Sequence, residues 1–168
     1  MNISFIRAHT RVYQRSLVAR TVPSAKLRNS AHMMDEFKKI VELHMKVLNH
    51  AMAGIPPEPL RMHLCWGNFE GPHIHDVPFR AIVDIVLKAR PAGLSFEGAN
   101  PRHEQEWKIW RDVRLPDGKV TIPGVLDSTT NFIEHPELIA DRIARLAGCV
   151  GRENVIVGSD CGYRTFIM

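Results

Sequence analysis

Apolar residues fall at helical spacing along the segment from Ser30. Phe37, Ile40, Val41, Val47, Leu48 and Ala51 share a face, until Gly54 and Pro56–Pro57 break the pattern. A strand is predicted over Leu60 to Trp66, followed by a turn-rich loop holding Gly67, Gly71 and Pro72. Asp76 and Pro78 open a second helix with Phe79, Ile82, Val83, Val86 and Leu87 on one side, closed by Pro91–Gly93. Ala92 to Glu97 reads as the next strand, and Arg102 to Val113 as a third helix with Trp107 and Trp110 together. Asp117–Gly118 marks a turn before a strand over Lys119 to Leu126. Pro136 suits a first helical turn, Leu138, Ile143, Leu146 and Val150 follow at helical spacing, and Gly151 suits the cap. Val155 to Ser159 is the last predicted strand.

The order is a helix, three strand–helix units and a strand. Such alternation implies parallel strands joined by crossover helices, an α/β fold. A closed (β/α)8 barrel takes eight strands and roughly 250 residues. Four strands in 168 residues leave two forms, an open α/β sheet or a piece of a barrel.

Charge and composition narrow the functional classes. Residues 1–34 carry Arg7, Arg11, Arg15, Arg20, Lys26 and Arg28 and no acid; without these six, 16 basic residues face 18 acidic ones. The net charge of +4 therefore comes from the amino-terminal segment, and the body lacks the basic surface a nucleic-acid binder needs. Residues 1–30 read as a basic extension, either poorly ordered or a mitochondrial-type leader, and residues 31–168 as the domain. No apolar run reaches the roughly 18 residues of a membrane span. Three cysteines make no disulfide framework, which favours a reducing, cytoplasmic setting with mitochondria as the alternative.

Each predicted strand ends in reactive residues: His63-Leu64-Cys65-Trp66, Phe96-Glu97-Gly98, Leu126-Asp127-Ser128 and Ser159-Asp160-Cys161-Gly162. The carboxyl ends of parallel strands form the functional rim of α/β folds. Residues i and i+2 of a strand share a face, so His63 and Cys65 can converge on one ion, with Glu97 and Cys161 arriving from later strands. One histidine, two cysteines and a carboxylate suit tetrahedral zinc. The plainer alternatives are a buried strand histidine, inert thiols and a helix-terminal carboxylate. Asp127 either orients a ligand or caps its turn, and Asp160 can point away from Cys161 to serve structure. His73, His75 and Asp76 read as two solvated histidines beside a helix-capping aspartate. His103, Glu104 and Glu106 read as a solvated helix face, and Cys149 as core.

These motifs, with Pro123-Gly124-Val125-Leu126-Asp127, resemble the carboxyl-terminal catalytic domain of the cobalamin-independent methionine synthase family. HLCWGNFEGPHIHDVP, LSFEGANPRHE, IPGVLDSTTNFIEHPE and GRENVIVGSDCG look closest to a shorter single-domain branch, itself similar to zinc-dependent epoxyalkane:coenzyme M transferase. The resemblance covers about residues 30–163. It implies the carboxyl-terminal half of a (β/α)8 barrel, a partial TIM barrel of about four parallel strands. It also implies Zn2+ on His63, Cys65, Glu97 and Cys161. The implied activity is that of 5-methyltetrahydropteroyltriglutamate–homocysteine S-methyltransferase in methionine biosynthesis: methyl or alkyl transfer to a thiol such as homocysteine, with methyltetrahydrofolate as a candidate donor. Asp127 falls within the family's catalytic motif. Thr129 stands where the family's proton-delivering histidine lies, leaving His73, His75 and His135 as candidate proton sources. The other class of function is a truncated, non-catalytic zinc-binding remnant, or a half that needs a partner chain. A half-barrel exposes apolar edges and faces, so a homo-oligomer or a complementing half is expected.

Overall fold

A computed structural model describes residues 2–7, 17–18, 31–67 and 76–162. Its centre is a curled half-barrel sheet with four parallel strands in sequence order: β3 (Leu60–Cys65), β4 (Gly93–Phe96), β5 (Val120–Leu126) and β6 (Gly158–Ser159). Two strands from the amino-terminal segment extend it. β1 (Asn2–Arg7) pairs antiparallel with the whole of β3, and β2 (Leu17–Val18) pairs antiparallel with β1. The rest of the predicted extension, residues 1, 8–16 and 19–30, lies outside the described residues.

Helices separate the parallel strands as the periodicity requires. α1 (Ala31–Ala51) buries Val41, Met45 and Leu48, spaced by four and three. α3 (Pro136–Val150) begins with proline at its first turn, where the missing N–H costs nothing, and His135 Nδ1 accepts the Glu137 N–H at 3.2 Å. Gly151 ends it at φ 88°, a region open to glycine.

The two middle crossovers depart from the smooth helices expected. The first is a 3-10 turn (Phe79–Ala81) followed by the single-turn α2 (Val83–Val86). The second is a 3-10 helix over Glu104–Arg111. Residues three apart fall on one face of a 3-10 helix; of Trp107 and Trp110, Trp110 is buried and Trp107 carries the Arg111 guanidinium 4.5 Å from its ring. Phe79, Phe96 and Trp110 form an aromatic triad with centroids 5.5 to 6.2 Å apart. Each such pair adds about 0.5–1.5 kcal/mol beyond its buried area. Tertiary packing here outweighs the α-helical pattern.

The sheet has one apolar face and one chemical face. On β3, Leu60, Met62 and Leu64 are buried toward the helices. Arg61, His63 and Cys65 alternate onto the other face. His63 lies opposite Ser95 of β4, and Arg61 opposite Gly93. A Cβ at Gly93 would come within 2.1 Å of the Arg61 side chain, so glycine leaves room for it.

Candidate metal centre

The first and last parallel strands bring the site together. His63 and Cys65 project from one face at the end of β3, and Cys161 follows β6, 98 residues beyond His63. Cys161 Sγ lies 3.4 Å from His63 Nε2, and the donor atoms of His63, Cys65 and Cys161 are all within 4.8 Å of one another. Among the described residues this is the one cluster of its kind. Two donors on a tetrahedral zinc at ordinary bond lengths lie roughly 3.5 Å apart. The imidazole–thiol spacing and the soft donor set therefore fit a zinc ion.

Hydrogen bonds orient each donor. His63 Nδ1 meets Ser95 Oγ at 2.9 Å, which leaves Nε2 turned to Cys161. The Cys161 N–H donates to Ser128 Oγ at 3.1 Å, and Ser159 Oγ donates to the Cys161 carbonyl at 2.7 Å. Hydrogen bonding from the Cys161 thiol, aided by His63, pulls the Cys65 thiol down from 9.0 to about 4, against the opposing effect of burial. Cys161 moves the other way, because its proton is held in that hydrogen bond and a second thiolate there would be buried. The two thiols titrate as a coupled pair, the first proton leaving more readily than the second.

Glu97 reaches the same place from the end of β4 and is almost wholly buried. Its Oε1 accepts the Trp66 N–H at 3.0 Å and lies 3.7 Å from Cys161 Sγ. Its Oε2 accepts from Asn100 Nδ2 at 2.9 Å. Burial, then the Cys65 thiolate, raise its pKa. The three-residue cluster does not include Glu97, which borders it through Cys161.

The other candidates divide clearly. Asp127 accepts from Thr129 N and Oγ1 at 2.8 and 2.7 Å and from Thr130 Oγ1 at 3.2 Å. These are the bonds of a turn cap, and none reaches His63, Cys65 or Cys161. Asp160 accepts the N–H groups of Gly98, Ala99 and Asn100, each at 2.8 Å, tying the β4 loop to the end of β6. His135 caps α3, Cys149 packs against the core, and His73 and His75 lie outside the described residues.

The solvated reading of His103 is overturned. Its ring is buried, bonded through Nδ1 to Glu106 at 2.9 Å and through Nε2 to Asp76 at 3.2 Å, and stacked on Trp66 at 4.1 Å. Burial lowers its pKa, but Glu106, Glu97 and Asp76 outweigh that and raise it. Sequence reasoning also passed over Asn100, although an amide three residues after a candidate carboxylate is a local signal.

Two curated proteins are similar to this chain. A methionine synthase from Methanothermobacter thermautotrophicus is 28% identical over 120 residues, covering 71% of this chain and 34% of the relative. A 2-hydroxypropyl-CoM lyase from Xanthobacter autotrophicus is 25% identical over 143 residues, covering 70% of this chain and 38% of the relative. The relationship is distant, and the chain spans about a third of the length of these relatives. No family model and no solved structure matches. Both relatives are enzymes, and no helix among the described residues is long and apolar enough to cross a membrane.

Proposed function

We propose that the chain holds a zinc ion on His63, Cys65 and Cys161, with Glu97 as the fourth donor, and serves methyl or alkyl transfer to a small-molecule thiol. The observation that carries this is the convergence of one imidazole and two thiols, from the first and last parallel strands, at spacings suited to one tetrahedral ion. The distant kinship to a methionine synthase and to a CoM lyase supports the reaction class. When bound, zinc supplies the positive charge that keeps a thiol deprotonated near neutral pH.

The chain's own residues do the rest. Ser95 sets the tautomer and direction of His63. Cys65 is the thiol drawn more readily toward the thiolate, and the two cysteines bind the metal as thiolates, releasing protons on uptake. Glu97 is a harder, oxygen donor than its companions, and so the natural one to yield to an incoming thiol. Threonine at 129 cannot act as an acid near neutral pH, so the proton for a leaving group comes from another residue.

Metal analysis of the purified chain tests this. About one zinc per chain is expected, lost in Cys65→Ser and in Cys161→Ser, with homocysteine or coenzyme M releasing a proton on mixing with the loaded protein. Folded protein that takes up no zinc would refute the proposal. A second reading, a zinc-binding half that works only with a complementing chain, draws on the short coverage of both relatives. It is favoured if zinc binds but no thiol perturbs it until a partner is supplied.

A further inference from the structure

Asn100 is buried and occupies an unusual position. Its Nδ2 donates to Glu97 Oε2 at 2.9 Å and to Asp160 Oδ2 at 2.8 Å. Its Oδ1 accepts from Arg102 N at 3.1 Å and Arg102 Nε at 3.3 Å. Acceptors face the nitrogen and donors face the oxygen, so the amide has one satisfied orientation. The carboxamide is thus clamped between two carboxylates, one before the β4 loop and one beside Cys161.

Asp160 anchors the clamp. Three successive backbone N–H groups, those of Gly98, Ala99 and Asn100, close on its carboxylate. Gly124 of β5 gives it space: a Cβ there would sit 1.9 Å from Asp160 Oδ1 and 2.6 Å from its Cα. The same Asp160 donates its N–H to the Leu126 carbonyl, which keeps the Cys161 backbone in register with β5. A chain of bonds therefore runs from the Cys161 loop through Asp160 and Asn100 to the outer oxygen of Glu97.

We infer that Asn100 is a positioning residue for the metal centre: held by Asp160, its amide takes up Glu97 Oε2 and so presents Oε1 toward Cys161. The inference rests on the zinc reading above and adds the residue that sets the carboxylate donor. Without the amide, Glu97 keeps the Trp66 N–H on Oε1 but loses the neutral donor on Oε2. Outer partners of this kind are worth 10- to 100-fold in metal affinity.

A double-mutant cycle on the full chain tests this, with zinc affinity measured against a competing chelator. Asn100→Ala is expected to weaken zinc binding by about 10- to 100-fold. In a Glu97→Ala background the same substitution should change affinity by less than about 2-fold, because the residue it acts through is gone. Circular dichroism checks the fold, and Asn100→Ser takes its place if the alanine variant does not fold. Equal weakening in both backgrounds would make Asn100 a general structural residue and overturn the inference, as would unchanged affinity in the single variant. Wild-type protein that binds no zinc would instead overturn the metal reading, and this inference with it.

Discussion

The two ends of the parallel sheet use their polar side chains in different ways. At the amino-terminal end, charged and amide side chains close loops onto the main chain. Lys119 Nζ caps the carbonyls of Ala89 and Pro91, and Arg90 holds the Ile55 carbonyl at 2.7 and 2.9 Å. Asn49 reaches from α1 to the Lys88 carbonyl and the Arg90 N–H. At the carboxyl-terminal end, titratable side chains face one another. Glu97, Asn100, Asp160 and His103 make one connected group, with the two thiols and His63 beside it. Burial pushes the Glu97 and Asp160 carboxyls above their usual range, while at the other end it lowers the Lys119 ammonium, whose acceptors are neutral carbonyls. Two neighbouring perturbed carboxylates thus lie beside the thiols at one rim, where the zinc proposal places its chemistry.

Substitutions can break this contrast, the largest effect coming from Gly124→Ala. The new Cβ meets Asp160 backbone atoms at 2.6 and 2.7 Å, which cannot swing aside as a flexible side chain would. Overpacking of this kind costs about 3 kcal/mol, and urea unfolding should show it. Because the displaced residue is Asp160, zinc affinity is expected to fall as well. Lys119→Met at the opposite rim keeps the apolar stem but leaves two carbonyls without their donor, at a cost of about 1–2 kcal/mol. Zinc affinity of the folded Lys119→Met protein should match wild type; a loss there would erase the division between the rims.

Glu97→Gln gives the smallest and most specific effect. The folded pKa of Glu97 is raised above its ordinary 4.5, so its contribution to stability is present below pH 4.5 and lost as pH rises through the folded value. A glutamine is neutral throughout. In metal-free protein, unfolding free energies should therefore shift in favour of Glu97→Gln as pH climbs from 4.5 to 7. With saturating zinc the order should reverse at pH 7, because the wild type gains more from the metal. A difference that ignores both pH and zinc would show Glu97 to be an ordinary buried polar group.

Much of this was legible in the residues, and the misses share a cause. The helix ending at Ala51 and the helix from Pro136 to Val150 follow from local periodicity and caps, and both stand where expected. His63 and Cys65 share a face because a strand alternates, a rule that needs no tertiary information. The 3-10 winding around Trp107 and Trp110 was not legible as such, because Trp110 packs in an aromatic triad drawn from three separate segments. His103 looked solvated because its partners arrive from elsewhere: Asp76 lies 27 residues earlier, and Trp66 belongs to the β3 end. The pairing of Asn2–Arg7 with β3 joins segments more than fifty residues apart, and no pattern in six residues announces it.

Zinc-edge X-ray absorption on the zinc-loaded full chain reads directly whether an imidazole and two thiols share one divalent ion. The expected first shell holds two sulfur neighbours at about 2.3 Å and nitrogen or oxygen neighbours at about 2.0–2.1 Å. A shell of nitrogen and oxygen alone would contradict it.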